Sequence, residues 1–221
     1  MRREIELTAD GSHTVSIPEL QVTYHSKHGA FQESMQVFIN PGLSLLLSAK
    51  PLETIRVLEI GFGTGLNALL SWQVAIQYNT PVHFTSLEPF PLSDAEINSL
   101  NYGTLLSIGP QFTQIHTCPW EKENPLSTVF TLEKKKVSLL DFTEAGVFHC
   151  IYFDAFAPSV QPELWTKPVF EKLFSLLLPG GILLTYCSKS SVRHDMTAAG
   201  FLVTKIPGPR GKREMVRAEK R

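Results

Sequence analysis

Residues 57–67, Val57-Leu58-Glu59-Ile60-Gly61-Phe62-Gly63-Thr64-Gly65-Leu66-Asn67, decide the fold of this chain. An apolar run that ends in glycines predicts a buried parallel strand followed by a tight turn. Glycines allow positive φ and a close approach of the backbone to a ligand. A helix that starts after the turn directs its free N–H groups into it. The stretch therefore predicts a site for a nucleotide-like molecule, and a turn without any ligand is the alternative.

The spacing of the glycines separates two kinds of nucleotide-binding loop. A dinucleotide loop has glycine or alanine at its sixth position, where this chain has Leu66, and Gly65 comes one residue early. Three alternating glycines preceded by an acid resemble the first motif of class I S-adenosylmethionine-dependent methyltransferases. This resemblance implies that Glu59 lies near the amino-acid end of the cofactor and that the glycines pass under its ribose.

The composition is typical of a soluble protein, with 43% hydrophobic residues, 19% charged residues and a net charge of −1. Its 221 residues suffice for one α/β domain with a full core. No uninterrupted apolar run reaches the ~20 residues of a membrane span, and the N-terminus has no apolar segment typical of a secretory signal. Three widely spaced cysteines do not suggest disulfides. We therefore expect a cytoplasmic protein without membrane contact.

Strand and helix patterns alternate from Ile55 onward, which predicts an α/β fold with a Rossmann-like, doubly wound sheet. Residues 1–50 are expected to form an N-terminal β-hairpin and helical extension, packed on a core of residues 51–221 within one structural domain. The hairpin spans Glu4–Ile17 around Asp10-Gly11. Two segments, Phe201–Ile206 and Glu214–Ala218, are expected to close the sheet as an antiparallel strand pair.

Several turns are also predicted from local signals. Pro41-Gly42 is expected to break a helix that runs through residues 33–38, and Pro179-Gly180-Gly181 is expected to stop another over residues 169–178. The charged run Glu133-Lys134-Lys135-Lys136 is interpreted as the solvated turn of a hairpin between residues 126–132 and 137–140. Ser93 and Glu96 have the spacing of a capping box at a helix start.

Acidic residues follow the predicted parallel strands, at the sheet edge where ligands bind. Glu88 ends the second strand and could accept both ribose hydroxyl hydrogens. Asp141 is expected to end the third strand, where it could accept an adenine amino hydrogen while Phe142 packs on the base. Asp154 ends the fourth strand, beside the place where a methyl donor would meet its acceptor. A helix cap or a surface charge is the alternative for each acid.

Aromatic and apolar residues surround Asp154 in the segment 152–158. Removal from water would raise the pKa of this carboxyl group, and a nearby cation would oppose the change. Such a carboxylate could accept a proton from an attacking ammonium group. Phe156 and Pro158 are the candidates for contact with a planar base. A packed loop that caps the sheet is the alternative.

Several segments, in the same order along nearly the whole chain, resemble the methyltransferase part of the bacterial MnmC family. This family modifies the wobble uridine of tRNA. The matching segments are Tyr24-His25-Ser26 with Gly29-Ala30 and Glu33-Ser34, Gly61-Phe62-Gly63-Thr64-Gly65-Leu66-Asn67, Leu87-Glu88-Pro89-Phe90-Pro91-Leu92, Asp154-Ala155-Phe156-Ala157-Pro158 with Pro162-Glu163-Leu164-Trp165, and Gly211-Lys212-Arg213-Glu214-Met215.

The resemblance implies transfer of a methyl group from S-adenosylmethionine to the primary amine of 5-aminomethyl(-2-thio)uridine in tRNA. Asp154 would orient or deprotonate this amine. Lys212 and Arg213, within a basic C-terminal strip, would meet tRNA phosphates, although Lys212 could equally pair with Glu214. The residues expected to hold the cofactor are Tyr24, Ser26, Glu59, Gly61, Gly63, Gly65, Asn67, Glu88, Asp141 and Phe142.

The fused family members also carry a flavin-dependent oxidoreductase part that this sequence lacks, so another enzyme is expected to supply the aminomethyl group. Three other functions stay open: a nicotinamide-dependent oxidoreductase, a polyamine-type or other small-molecule transferase, and a cofactor-binding RNA module without turnover. No metal site is expected, because the seven histidines show no ligand spacing with cysteines or acids.

Overall fold

The computed structural model describes residues 2–49, 53–144 and 147–221. Within these ranges the chain forms a three-stranded N-terminal sheet and an eight-stranded central sheet. The small sheet contains β1 (Glu4–Leu7), β2 (His13–Ile17) and β3 (Val22–Thr23). The central sheet contains β4 (Ile55–Ile60), β5 (Val82–Leu87), β6 (Glu123–Ser127), β7 (Phe130–Lys135), β8 (Phe148–Phe153), β9 (Leu177–Thr185), β10 (Leu202–Pro207) and β11 (Glu214–Glu219).

The helices lie between these strands in chain order. They are α1 (Ala30–Ser34), a π-helix (Met35–Ser44), α2 (Leu45–Ala49), α3 (Leu66–Tyr78), α4 (Asp94–Asn98), α5 (Tyr102–Leu105), α6 (Gly109–Thr117), α7 (Lys167–Leu176) and α8 (Ser190–Ala198). Ser93 and Glu96 form the predicted capping box at the start of α4. In the described ranges, no helix is both long and apolar enough to cross a membrane.

The central sheet has the strand order β10-β11-β9-β8-β4-β5-β7-β6. Strands β7, β5, β4, β8 and β9 are parallel to their neighbours within this set. The chain moves outward from β4 to β5 and β7 and then returns to β8 on the other side of β4. The strand order therefore reverses between β4 and β8, which is where open α/β sheets bind ligands. The predicted doubly wound fold is confirmed, as are the N-terminal hairpin and the closing pair of β10 and β11.

Helices cover both faces of the central sheet. Side chains along its strands alternate in direction, so neighbouring residues of one strand belong to different faces. Val57 of β4 belongs to a cluster with α3 and the π-helix, whereas Leu58 and Ile60 belong to a second cluster with α7 and α8. Such continuous apolar strands are typical of parallel sheets covered by helices. The division of the chain into an extension and a core at residue 50 stays a prediction, and residue 50 itself lies outside the described ranges.

The predicted helix break at Pro41-Gly42 is wrong. The backbone continues from α1 through the π-helix, with Pro41 inside it, into α2. A wider helical turn accommodates a residue that has no N–H to donate. Gly42 is required for close packing, because a Cβ there would lie 2.5 Å from Leu184 Cδ1 and 3.1 Å from Tyr152 Cε1. The dipeptide thus brings the helix against the sheet instead of ending it.

The predicted charged turn at residues 133–136 is also wrong. Strand β7 runs through Lys135, and the turn after β6 lies at residues 128–129. Lys134 follows Phe130 and Leu132 on the buried face of β7. Its ammonium group donates a hydrogen bond of 2.9 Å to the His116 carbonyl and lies 4.8 Å from the Trp120 ring centroid. These contacts replace water around a charge that the sequence pattern alone assigns to the surface.

Pro179-Gly180-Gly181 does not separate helix from strand as predicted. Helix α7 ends at Leu176, and the three residues lie within β9, where its register with β8 shifts. The Gly180 N–H donates a hydrogen bond to the Lys220 carbonyl. The segment is therefore an irregularity in the strand, of the kind that glycine commonly supports.

We predict that Gly42→Val destabilises the protein by about 1–3 kcal/mol, because the added side chain must displace Leu184 or Tyr152 in a packed interior. The matched control is Asn40→Val, on the exposed side of the same helix, which tests the cost of a β-branched residue alone. Urea unfolding measures both. Equal free energies of unfolding for the two variants would contradict the packing role of Gly42.

Candidate active site

The loop between β4 and α3 has positive φ at its three glycines: +94° at Gly61, +49° at Gly63 and +74° at Gly65. The Gly61 N–H donates to the Leu87 carbonyl at 2.9 Å, and the Asp154 N–H donates to the Ile60 carbonyl at 3.2 Å. The loop is thus attached to the ends of both neighbouring strands. This glycine loop lies at the carboxyl edge of the sheet, as predicted.

Two of these glycines lie so close to other residues that a side chain would not fit. A Cβ on Gly61 would lie 3.1 Å from the Asp154 carbonyl oxygen, and a Cβ on Gly63 would lie 3.1 Å from Tyr24 Cδ2. Both distances are shorter than ordinary contacts of a Cβ atom. Glycine at these two positions therefore lets the Asp154 backbone and the Tyr24 ring pack directly on the loop.

Glu88 follows β5, and backbone groups hold both of its carboxylate oxygens. Oε2 accepts a hydrogen bond from the Gly63 N–H at 3.0 Å, and Oε1 accepts one from the Phe90 N–H at 2.9 Å. The side chain is partly exposed. Glu88 therefore presents a fixed negative charge beside the glycine loop.

Glu59 and Asn67 each have a buried oxygen without a partner. Ser86 donates a hydrogen bond of 2.6 Å to Glu59 Oε2, but Glu59 Oε1 accepts none from the described residues. Asn67 Oδ1 is likewise unpaired within the described chain. Burial raises the pKa of Glu59 well above its usual value, and the nearby charge of Asp154 raises it further. These two oxygens without a partner indicate a place where a polar group of a ligand could bind.

Asp154 follows β8 and faces the start of α3. The side-chain amide of Asn67 donates a hydrogen bond of 3.1 Å to its Oδ2. Burial raises the pKa of Asp154 to about 7, and the charge of Glu33 contributes in the same direction, against Asn67 and Lys212. The direction predicted from the aromatic surroundings is confirmed. A carboxyl group with this pKa can accept or release a proton near neutral pH.

Glu33, Lys212 and Tyr186 form a cluster beside Asp154 that the sequence analysis did not assign. Glu33 is 8% exposed, and its Oε1 lies 2.9 Å from Lys212 Nζ. Its Oε2 accepts a hydrogen bond of 2.6 Å from the Ser26 N–H. Lys212 Nζ also lies 4.1 Å from the Tyr186 ring centroid. The sequence signal was the Glu33-Ser34 segment of the family pattern, but nothing in the spacing indicates a contact across 179 residues.

The alternative pairing of Lys212 with Glu214 is wrong, because Glu214 pairs with Lys205 at 2.9 Å. Two lysines of the basic strip thus already have carboxylate partners. Arg213 is exposed, as is Arg210 in the same loop. The positive surface that this loop offers to a partner therefore comes mainly from its arginines.

Tyr24 and Phe156 form an aromatic wall at the carboxyl edge of the sheet. The glycine loop, Glu88 and Asp154 line the same region, which we call the crevice. Their rings meet edge to face, with centroids 5.4 Å apart. The Trp165 indole donates a hydrogen bond of 2.7 Å to the Phe156 carbonyl, which fixes the loop after β8. Pro158 is partly buried in the same loop. These residues lie where the sequence analysis expected contact with cofactor and base.

The prediction that Asp141 ends the third parallel strand is wrong. Strand β7 ends at Lys135, and Asp141 lies in an exposed turn six positions later, where it accepts a hydrogen bond of 2.6 Å from Ser138. Phe142 is buried with Leu87 and Ala155 in the second core cluster. Lys134 and Lys135, assigned to a turn, end β7 instead, so Asp141 lies beyond the end of the strand. Cofactor contacts of Asp141 and Phe142 stay predictions.

The N-terminal extension is attached directly to the glycine loop. His25 is buried, and its Nε2 lies 2.8 Å from Thr64 Oγ1. Burial lowers the pKa of His25, so its neutral form hydrogen-bonds with the threonine. Ser26 follows, and its hydroxyl accepts a hydrogen bond from the His28 N–H. The sequence analysis assigned no role to His25, because a lone histidine has no local signal for a distant partner.

Comparison with known proteins places this sequence beside methyltransferases. A family model described as S-adenosyl-L-methionine-dependent methyltransferase matches residues 106–221. The chain is 31% identical over 204 residues to the tRNA 5-methylaminomethyl-2-thiouridine biosynthesis bifunctional protein MnmC of Leptospira interrogans serogroup Icterohaemorrhagiae. That alignment covers 87% of this chain and 32% of the relative. The chain thus spans about a third of the length of the curated relative it matches.

Solved structures of similar fold include the following two. The crystal structure of MNMC2 from Aquifex aeolicus superposes with a TM-score of 0.82 at 25% identity, covering 100% of this chain and 70% of that one. Spermidine synthase from Thermotoga maritima superposes with a TM-score of 0.60 at 12% identity, covering 99% of this chain and 68% of that one. The second similarity concerns the fold alone.

The residues at this edge of the sheet suit S-adenosyl-L-methionine. The unpaired oxygens of Glu59 and Asn67 can accept hydrogen bonds from an amino group. The carboxylate of Glu88 suits a hydroxylated ribose, and the acidic lining as a whole suits a cationic molecule. Across residues 2–49, 53–144 and 147–221, no three His, Cys, Asp or Glu side chains form a group that could hold a metal ion.

We predict that Asp154→Asn gains stability relative to the wild type as pH rises from 4 to 8. The pKa of Asp154 rises on folding from 3.8 to about 7, so ionisation of this group costs folding free energy across that interval. The gain should reach ~2–3 kcal/mol, less than the full shift implies, because the carboxyl group keeps some solvent contact. Urea unfolding at both pH values, with Asp195→Asn in α8 as control, measures it. A difference that does not change with pH would refute the assigned shift.

Proposed function

The chain belongs to the family of S-adenosyl-L-methionine-dependent methyltransferases, and we propose that it methylates the primary amine of 5-aminomethyl(-2-thio)uridine at the wobble position of tRNA. The resemblance to the methyltransferase part of MnmC is confirmed. The observation that carries the proposal is the carboxyl group of Asp154. Its pKa of about 7, beside a cofactor crevice and an aromatic wall, suits proton removal from an amine.

We assign the cofactor to the glycine loop and its surroundings. Backbone groups of Gly61, Gly63 and Gly65 would lie against it, and Glu88 would accept hydrogen bonds from its ribose. Glu59 and Asn67 would accept hydrogen bonds from its amino group. When bound, S-adenosyl-L-methionine supplies an electrophilic methyl group on a sulfonium. Proposed contacts further out are those of Tyr24, Ser26, Asp141 and Phe142.

The residues around Asp154 prepare the acceptor. An amine arrives largely protonated at neutral pH and has no lone pair in that form. Asp154 accepts one proton, and Asn67 holds its carboxylate in place at 3.1 Å. Phe156 and Pro158 contact the pyrimidine ring, so the nitrogen is aligned before reaction. Alignment of this kind accounts for much of the rate in a transfer that needs no covalent intermediate with the protein.

The acceptor is proposed to be tRNA on two grounds. The matched relative is a tRNA modification protein by name, and the loop between β10 and β11 exposes Arg210 and Arg213. Guanidinium groups are suited to phosphate contacts. A cytoplasmic location and a separate enzyme that supplies the aminomethyl group are parts of this proposal. Polyamines are the competing acceptor class, since spermidine synthase shares the fold.

The direct test is incubation of the protein with labelled S-adenosyl-L-methionine and tRNA from cells that lack wobble methylation. Nucleoside mass analysis should find 5-methylaminomethyl(-2-thio)uridine. Putrescine and spermidine, tested in parallel, should remain unlabelled. Label in the polyamines but not in tRNA would replace the proposed function with the competing one.

In this assay, Asp154→Ala should lower kcat by about 10²–10⁴-fold, because the amine loses its proton acceptor. The dissociation constant of S-adenosyl-L-methionine, measured by calorimetry, should change less than about twofold, because Asp154 is assigned to the acceptor amine and not to the cofactor. Asp195→Ala in α8 is the control and should match the wild type in both. Equal losses of turnover and cofactor affinity in Asp154→Ala would reject this assignment.

Arg210→Ala combined with Arg213→Ala should weaken tRNA binding and reduce the slope of log Kd against log salt by about 1.5, as expected for two lost phosphate contacts. Lys122→Ala, an exposed lysine at the opposite edge of the sheet, should leave the slope unchanged. Filter binding at several salt concentrations measures the slopes. The same slope in all three proteins would exclude this loop from the RNA contact.

A further inference from the structure

The ammonium group of Lys212 is held in a place built for a cation. Glu33 Oε1 lies 2.9 Å from Nζ, and the Tyr186 ring centroid lies 4.1 Å away. Asp154 is near enough that the charge of Lys212 lowers its pKa. A carboxylate together with an aromatic face is a common arrangement for binding a primary ammonium. The cluster therefore has the chemistry of a ligand site whose present occupant is a side chain of the same protein.

Glu33 cannot easily lose its cation. It is 8% exposed, and a buried carboxylate without a partner is strongly unfavourable. Its second oxygen is already held by the Ser26 N–H, so the orientation of the carboxylate does not depend on Lys212. A cation from outside could replace Lys212 without rearranging Glu33. A neutral group could not, because it would leave the charge uncompensated.

Lys212 is placed so that it can leave. Its side chain is 37% exposed, and it lies in the loop between β10 and β11 rather than in a strand. Gly211, just before it, has a φ of +87°, and exposed Arg213 follows. Withdrawal of the side chain toward solvent needs only new rotamers along a flexible stem. The rest of the cluster comes from α1, which contains Glu33, and from Tyr186, directly after β9.

We propose that Glu33 and the Tyr186 ring form the subsite for the acceptor's primary ammonium, and that Lys212 occupies this subsite until the acceptor displaces it. The inference rests on the proposed methylation of an amine. The subsite selects a charged primary amine over a neutral group of the same size. Once Asp154 has taken a proton, the neutral amine no longer gains from Glu33 and can turn toward the cofactor crevice. Glu33 and Tyr186 are thus positioning residues.

The test uses two small cations and no RNA. Methylammonium can donate hydrogen bonds to Glu33, whereas tetramethylammonium has the same charge and no N–H. Thermal unfolding is followed while either chloride salt is titrated at constant ionic strength, in the wild type and in Lys212→Met. The methionine keeps an unbranched stem over Tyr186 but has no charge. Lys205→Met, which removes a surface lysine paired with Glu214 at the same distance of 2.9 Å, is the matched control.

Lys212→Met should be stabilised by methylammonium with an apparent Kd at least about tenfold lower than that of the wild type, because the internal competitor is gone. Tetramethylammonium should have a much smaller effect, and Lys205→Met should behave as the wild type. The proposal is overturned if both cations act equally on Lys212→Met, or if its response equals that of the wild type.

A second variant covers the case in which Lys212→Met does not fold. Glu33→Gln should raise KM for aminomethylated tRNA about tenfold while kcat and cofactor affinity change less than about threefold, since ammonium capture precedes reaction. Unchanged KM would overturn the subsite. Failure of the proposed subsite can be distinguished from failure of the proposed function. A selective methylammonium response without tRNA methylation rejects only the function, and tRNA methylation without a selective response rejects only the subsite.

Discussion

The crevice depends on the backbone of the glycine loop, which must turn with positive φ between two parallel strands. The hydrogen bond from Gly61 to Leu87 attaches the loop to β5, and the one from Asp154 to Ile60 attaches it to the end of β8. Because both strand ends are fixed to the same turn, Glu88 and Asp154 lie on opposite sides of it. The acidic lining of the crevice is therefore a consequence of strand order, with the reversal between β4 and β8 separating the two carboxylates.

The N-terminal extension contacts loops at the carboxyl edge of the central sheet. His25 hydrogen-bonds with Thr64 inside the glycine loop, and Tyr24 covers Gly63 from above. Glu33, eight positions after His25, contacts Lys212 near the other end of the chain. One short segment thus contacts both the glycine loop, after β4, and the loop between β10 and β11, and it therefore links these two loops.

The sequence was sufficient for features that depend on local pattern. The apolar run before Gly61, the acid after β5 and the aromatic surroundings of Asp154 all lie where they were expected. Features that depend on tertiary contact were missed. Lys134 is buried because a carbonyl and two rings accept its charge, and the strand it forms displaced Asp141 from the sheet edge. Glu33 gave no signal of its role, since its partner is distant in sequence.

The ion pair between Lys212 and Glu33 has a chemical consequence for the amine methylation that we propose. An enzyme that methylates amines exposes its own lysine to the same electrophile as its substrate, and a lysine beside the crevice is a candidate for accidental self-modification. The ammonium group of Lys212 donates a hydrogen bond of 2.9 Å to the Glu33 carboxylate. Without a free electron pair it cannot attack, so the contact that fills the site also protects the protein from its own reagent.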